Sequence, residues 1–454
     1  MLMQTTPIIS KVALTLAGWG LLTPIFSGYF NGIFLLVWLM WVFFREKGVP
    51  ASPVEKAVNY IAQPLQIGIL LVLVTHVLSA FFGYLTSPFV PSLGKVFSPM
   101  QHLLIKWGIL WIVYFNSMRL MVRKNWDPSN VGPWLLLAMV VHFVYCMVQR
   151  STGIDWTHGF SGHLEANRFA YGVYRISGWH SHPLTLAYNL MLITATGACL
   201  ATRSGYGLSQ GLRASWAGVS CVALGTLLVS GSRFVVLAFP LTLVLLEWRK
   251  IKAYVWQILL GLTLVGGVLW IEGSVKGRFM ELFDPSVPFS IRWSRVVYWE
   301  IHWRVFVDHP WFGVTMGGMG EALKRYWPSE YPNLEILPAH NILLQTLADS
   351  GVVGATGLVA FLVGLGLSAR RARNVLGRNS GLEWMLALTV IVGMVQNNLR
   401  DSEYLMALWY LSSILIVRAA LVGLGRGEIS DKVEEHPSIS HLDSIHDRQP
   451  DKNR

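Results

Sequence analysis

The chain has 454 residues, of which 53% are hydrophobic and only 13% charged, and its formal net charge is +11. A mean hydropathy of +0.47 excludes an ordinary soluble globular protein. The basic residues sit in turns between apolar runs, so the charge reflects membrane topology and lipid contact, not nucleic-acid binding.

Windows of about 20 mostly apolar residues can each span a bilayer. They recur at 8–26, 28–44, 64–86, 102–122, 132–149, 183–201, 215–231, 234–248, 253–272, 341–367, 382–398 and 404–422. The pattern predicts an all-α, polytopic membrane protein of about twelve helices, forming one membrane body over 1–424. The first apolar run lacks a basic start and a small-residue cleavage site, so no cleavable signal peptide is expected. Arg45/Lys47/Lys56, Arg119/Arg123/Lys124, Arg203/Arg213, Arg249/Lys250/Lys252 and Arg370/Arg371/Arg373/Arg378 fall in alternate turns. The positive-inside rule places those turns, and both termini, in the cytoplasm. Cys146, Cys199 and Cys221 all fall inside predicted helices, which argues against disulfides and thiolate metal sites.

Two outer loops are long, at about 150–182 and 273–340, and loops of that size on a helical body are more often functional than idle. The second is expected to be a large, partly helical loop between the ninth and tenth helices. The polar stretch 425–454 reads as a disordered cytoplasmic tail. No Walker loop, dinucleotide fingerprint or repeat of 20–50 residues is present.

The polar residues that topology leaves unexplained come next, in chain order. Arg175 opens Arg175-Ile-Ser-Gly178-Trp-His180-Ser-His182-Pro183 at the end of the first loop. His180 and His182 stand two apart, a spacing that suits a metal pair poorly without further ligands, so hydrogen-bonded interfacial histidines are expected. Arg233 ends Ser230-Gly-Ser-Arg233, a short outer turn where the positive-inside bias disfavours an arginine. It reads either as a snorkelling end residue or as a guanidinium fork that fits phosphate. In the second loop, helical spacing puts Arg292, Arg295, Trp299 and Phe306 on one face and Trp293, Val297 and Ile301 on another. This reads as an amphipathic helix at the outer interface, with tryptophans at headgroup depth. A run containing Gly313, Gly317, Gly318 and Gly320 follows, and could bring backbone N–H groups close to a ligand.

His340-Asn341 ends the loop and opens the tenth helix. An imidazole in the field of a helix N-terminus is disfavoured as imidazolium, and a neutral imidazole is what a general base requires. Asn341, Gln345 and Asp349 form a stripe at i, i+4 and i+8. Asp349 lies about 13 Å along the axis from His340 at 1.5 Å per residue. It is therefore expected to pair with a neighbouring helix instead of orienting the histidine directly.

Together these residues resemble a known family. His340-Asn341 followed by Leu-Ala-Asp-Ser-Gly351-Val-Val-Gly354 is similar to the signature of the bacterial O-antigen ligase and polymerase superfamily. Arg175-x-x-Gly178 before a proline, Ser230-Gly-Ser-Arg233, and Arg295-x-x-x-Trp299 with His309-Pro310-Trp-Phe-Gly313 resemble its other motifs, in the same order. The resemblance covers about 170–360. Two positions depart from the family pattern: Asp349 stands where glutamate is commoner, and the first-loop motif reads His180-Ser-His182-Pro183 without the usual asparagine.

The resemblance implies a membrane glycosyltransferase of the bacterial inner membrane, with its cleft at the periplasmic face. Its donor would be a polyprenyl-diphosphate-linked glycan (undecaprenyl diphosphate) and its acceptor lipid A–core or another glycan. No cofactor and no metal are expected. His340 would act as general base, and Arg233, Arg295, Arg175 and Arg292 would bind the diphosphate. Asn341, Trp299 and Asp349 would support them. Three activities compete within the family: ligation to lipid A–core in lipopolysaccharide biosynthesis, repeat-unit polymerisation, and protein-directed oligosaccharide transfer. From another class, twelve helices also fit a transporter or flippase of lipid-linked glycan.

Overall fold

The computed structural model describes residues 52–89, 92–123, 126–156, 169–170, 173–180, 182–202, 206–230, 267, 283–286, 289, 293–331 and 335–427. The expected helices at 8–26, 28–44, 234–248 and, residue 267 apart, 253–272, and the tail beyond 427, lie outside the described residues. The other eight expected spans each fall on a helix.

Helix α1 (Pro53–Thr86) starts at a capping box: Ser52 Oγ accepts from Glu55 N, and Glu55 reaches back to the Ser52 amide. Pro64 inside it cannot donate to the Tyr60 carbonyl, and Arg371 Nη1 donates there instead at 2.5 Å. The adjacent Leu65 amide goes to Ser368 Oγ at 3.1 Å. Both substitutes come from α9 (Ile342–Leu376), so the flaw in one long helix ties it to the other. Glycines allow close approach of these two helices: a Cβ on Gly68 would sit 2.8 Å from Phe361 Cα, and one on Gly364 2.4 Å from the Pro64 oxygen. Small residues at a helix crossing are how membrane helices pack without a hydrophobic driving force.

Helix α2 (Leu93–Leu103) runs through a π-helical turn, Leu104–Ile109, into α3 (Leu110–Arg123). Next come α4 (Gly132–Thr152), α5 (Pro183–Thr202) and α6 (Gln210–Val229). The second loop contributes α7 (Ser294–Asp308) and α8 (Met319–Tyr326). After α9 come α10 (Leu382–Gly393) and α11 (Ser402–Gly425). Helix α11 is the innermost: Trp409 is fully buried, and its ring meets Trp107, Trp111 and Phe361 edge-on.

Among the described residues, seven helices are long and apolar enough to cross a membrane. The all-α expectation holds among the described residues, with one hairpin of two-residue strands added in the first loop, β1 (Phe169–Ala170) and β2 (Val173–Tyr174), Phe169 opposite Tyr174. One expectation needs correction. The span expected at 382–398 stops at Gly393, because the next stretch bonds outward to other elements.

Basic side chains gather at one end of the bundle. Arg119 and Arg123 lie against Glu55, and Arg418 joins Asp127 to the Tyr206 carbonyl. The opposite helix ends carry the loops. There α7 and α8 close over a second apolar cluster of Phe89, Val297, Ile301, Val305, Leu323 and Ala348. Val297 and Ile301 share the buried face as the spacing predicts, but Trp293 turns outward, 43% exposed.

Helix α9 is broken. Gly351 has φ 62° and ψ −165°, a region essentially restricted to glycine. The chain after α7 docks into the break: Val352 N donates to the Pro310 carbonyl (2.8 Å) and Val353 N to the Trp311 carbonyl (3.2 Å). Val314 N donates to the Ala348 carbonyl at 3.0 Å, and Ser79 Oγ reaches the carbonyls of Phe312 and Ser350. Gly313 and Gly351 are the contact points. A Cβ on Gly313 would lie 2.4 Å from the Asp349 carbonyl carbon, and one on Gly351 2.3 Å from the Trp311 oxygen. Gly313 and Gly317 thus approach protein backbone, Gly317 at the Lys95 carbonyl, so these two glycines of the run serve packing.

Gly351→Ala combines a disfavoured backbone with a clash. A destabilisation of at least about 3 kcal/mol is expected, read as a lowered melting temperature of the purified protein. Wild-type melting would mean that the docking loop yields.

Candidate functional site

The segment that links α10 to α11 organises the site, and the sequence reading overlooked it. Residue by residue, it reaches out to four other parts of the chain. The Met394 carbonyl accepts from Asn341 Nδ2 (3.0 Å), and the Val395 carbonyl from Arg295 Nη1 (2.8 Å). Gln396 Oε1 meets His340 Nδ1 at 2.9 Å, and Asn397 Nδ2 donates to Gln345 Oε1 at 3.2 Å. Arg400 pairs with Asp349, and Asp401 accepts from Thr185 of α5. Leu399 is buried between them. The signal was present in Gln396-Asn-Asn-Leu-Arg400-Asp-Ser-Glu403, seven polar or charged groups among eight residues between apolar runs.

His340 stands at the loop–helix junction with φ 49°, a left-handed backbone uncommon outside glycine. Asn341 caps α9, its Oδ1 accepting from the amides of Leu343 and Leu344 at 3.0 Å each. With the Gln396 carboxamide oxygen against Nδ1, the neutral ring carries its proton on Nδ1 and leaves Nε2 as the basic nitrogen. Burial lowers the His340 pKa, and nearby Arg295 lowers it further, against the bond from Gln396. His302, one turn below Tyr298 on α7, is also held neutral: burial brings it down to about 4 although its Nδ1 donates to the Tyr298 carbonyl at 2.7 Å. The Tyr298 ring lies 6.1 Å from the His340 ring.

Asp349 is fully buried. It pairs with Arg400 and accepts from Gln345 Nε2 at 3.2 Å, and Gln345 Oε1 in turn accepts from the Ala339 amide at 2.9 Å. The acid therefore grips the backbone immediately before His340 through one intermediate side chain, and its charge is met by the turn before α11. Asp349→Asn would leave Arg400 without its counter-charge. The expected cost is about 3 kcal/mol, with transfer reduced through a misplaced His340. Wild-type melting and turnover together would remove Asp349 from this role.

Arg175 and Arg295 come from different loops, and both act electrostatically on α5. Tyr188, on α5, lies within electrostatic reach of Arg295, Asp401 and Arg175. Gln149 fixes the first loop by accepting from the amides of Ser177 (3.0 Å) and Gly178 (2.9 Å). Gly178 has φ 56°, and any Cβ there would strike His142 Nε2 at 2.0 Å. His180 pairs with Glu403, and His182 Nδ1 accepts from the Leu184 amide at 3.1 Å to start α5. The two histidines thus part company. Among the described residues, no group of three His, Cys, Asp or Glu side chains is arranged to hold a metal ion.

Of the expected site residues, His340, Asn341, Arg295, Asp349 and Arg175 converge on this end of the bundle. Trp299 is half-buried on α7, and its indole N–H has no hydrogen-bond partner among the described residues. Arg233 and Arg292 lie outside the described residues. The arrangement unites a neutral imidazole with guanidinium groups from separate loops. It can accept a proton beside a bound anion.

Residues 218–359 match the family described as O-antigen ligase. The matched stretch includes His340, Arg295 and the docked helix break, and leaves out Arg175 and the 394–403 segment. No curated protein matches the chain.

Proposed function

We propose that this membrane protein transfers a glycan from a polyprenyl-diphosphate carrier to an acceptor hydroxyl, in the manner of an O-antigen ligase. The observation that carries the reading is the pairing of His340, its Nδ1 held by Gln396, with Arg295 anchored on the neighbouring carbonyl. The acceptor hydroxyl gives its proton to His340 Nε2, and its oxygen attacks the anomeric carbon of the donor sugar. The bond from that carbon to the diphosphate oxygen breaks, and the polyprenyl diphosphate departs with the electron pair. Arg295 and Arg175, with Arg292 from the same loop as Arg295 and Arg233 from the short outer turn after Ser230, stabilise the charge that develops on the leaving group. Asn341 and Asp349 hold the helix start, and Trp299 supports the arginine-bearing face of α7. The cleft is taken to open at the periplasmic face of the inner membrane, opposite the basic turns, and no metal or cofactor takes part.

Among the activities, ligation to lipid A–core is favoured over protein-directed transfer, because the described residues of the second loop form two helices and no added domain. In a deletion strain, accumulation of free lipid-linked polymer is the expected result. Single-repeat lipopolysaccharide would mean a polymerase, and loss of glycan from a secreted protein a protein-directed transferase. The direct test is purified protein in vesicles with a lipid-diphosphate glycan and an acceptor, without any nucleotide sugar. A new glycosidic bond is expected; none formed on any acceptor tried would overturn the reading. Transport is the second reading, since the break at Gly351 resembles the discontinuous helices of transporters. It predicts glycan movement across vesicles with no new bond.

The pH profile follows from the base. His340 has a lowered pKa, so it loses its proton below the ordinary imidazole value and is fully competent at neutral pH. Activity should therefore be flat near pH 7 and fall only as pH drops below about 6.5. A rate still rising above pH 7.5 would contradict a base of this kind.

A further inference from the structure

Tyr188 is an unexplained group in this site. It lies on the second turn of α5, 4% exposed, and among the described residues its hydroxyl makes no hydrogen bond. A buried phenol usually finds a partner, and an orphaned one forfeits the hydrogen bond that would offset its burial. The position is built, not incidental. One turn earlier on the same helix, Thr185 is bound to Asp401, and the Tyr188 ring packs edge-on to Tyr404, 6.3 Å between centroids. The ring is thus held from α11, next to the 394–401 segment on which Arg295 is anchored, and the charges of Arg295 and Arg175 act on the phenol. Arg295 has already given Nη1 to the Val395 carbonyl, so its remaining donors alone would have to hold an anion.

We propose that the Tyr188 hydroxyl is a ligand-binding donor, completing the anion site between Arg175 and Arg295 by hydrogen-bonding a phosphate oxygen of the lipid diphosphate. The inference rests on the lipid-diphosphate reading of the site. A neutral donor suits the place: it adds a hydrogen bond to the phosphate without a third positive charge that would need its own counter-ion when the site is empty. The absence of a partner among the described residues then follows, because the partner is the substrate.

The test is Tyr188→Phe in the full-length purified protein, which removes one oxygen and keeps the ring packed on Tyr404. Undecaprenyl diphosphate is the probe, and undecaprenol the control that lacks the headgroup. The variant is expected to melt as wild type and to bind the diphosphate about 10- to 100-fold more weakly, with undecaprenol binding unchanged. Wild-type affinity for the diphosphate would overturn the proposal, as would an equal loss for undecaprenol, which would put Tyr188 against the lipid tail. Arg295→Ala separates the two levels. If it loses the diphosphate while Tyr188→Phe retains it, the phenol is excluded and the site stands. If both variants bind as wild type, the site itself is misassigned.

Discussion

Replacing His340 by alanine is expected to reduce glycosyl transfer about 10²- to 10⁴-fold, the contribution of a positioned general base, without lowering the amount of inserted protein. The argument joins three observations. The ring is partly withdrawn from water beside Arg295 and stays neutral, its Nδ1 is committed to Gln396, and Nε2 is left to take the proton. The backbone offers a cleaner variant. At φ 49° an asparagine is tolerated far better than alanine, so His340→Asn should keep the loop–helix junction and still lose transfer. Gln396→Ala should do less damage, because it frees the ring without removing it. If His340→Asn turned over at near-wild-type rate in vesicles, another group would have to be the base.

Arg295→Lys is the second large effect. The guanidinium performs two tasks in different directions, one N–H to the Val395 carbonyl and the others toward the proposed diphosphate. A lysine ammonium is a compact point charge and cannot reproduce the fork. Removing one preorganised donor to developing charge costs about 10²- to 10³-fold in turnover, and a loss near the lower figure is expected for lysine, with a greater one for alanine. The 394–401 segment should also loosen when its bond to α7 is cut. Full rescue by lysine would mean that Arg295 supplies positive potential only.

Much of this was legible in the sequence. Apolar windows located the eight described spans because membrane burial demands length and little else. Asn341 advertised the start of α9 as a cap, and the i, i+4, i+8 stripe announced that Asp349 would be paired. Its partner was not legible. Arg400 is distant in the chain, and nothing local ties the two together. The linking segment 394–401 was hidden for another reason: averaged over a span, the apolar run from Leu382 carries the window through Gln396, Asn397 and Asn398. The glycines showed where the backbone could bend, but not what would approach it. At Gly313 that is the α9 backbone and at Gly351 the backbone of the chain after α7, which dock at the break in α9. Tyr188 escaped notice because a tyrosine in an apolar helix looks like core until its hydroxyl is found without a partner among the described residues.

The central claim is that His340 and the loop arginines surround one lipid diphosphate. A structure of the full-length protein bound to undecaprenyl diphosphate tests it most directly. The predicted result has the phosphates between Arg175 and Arg295, within hydrogen-bond distance of both, with His340 facing the bond to the first sugar. A diphosphate seated elsewhere, with the His340 end of the bundle empty of it, would contradict the account.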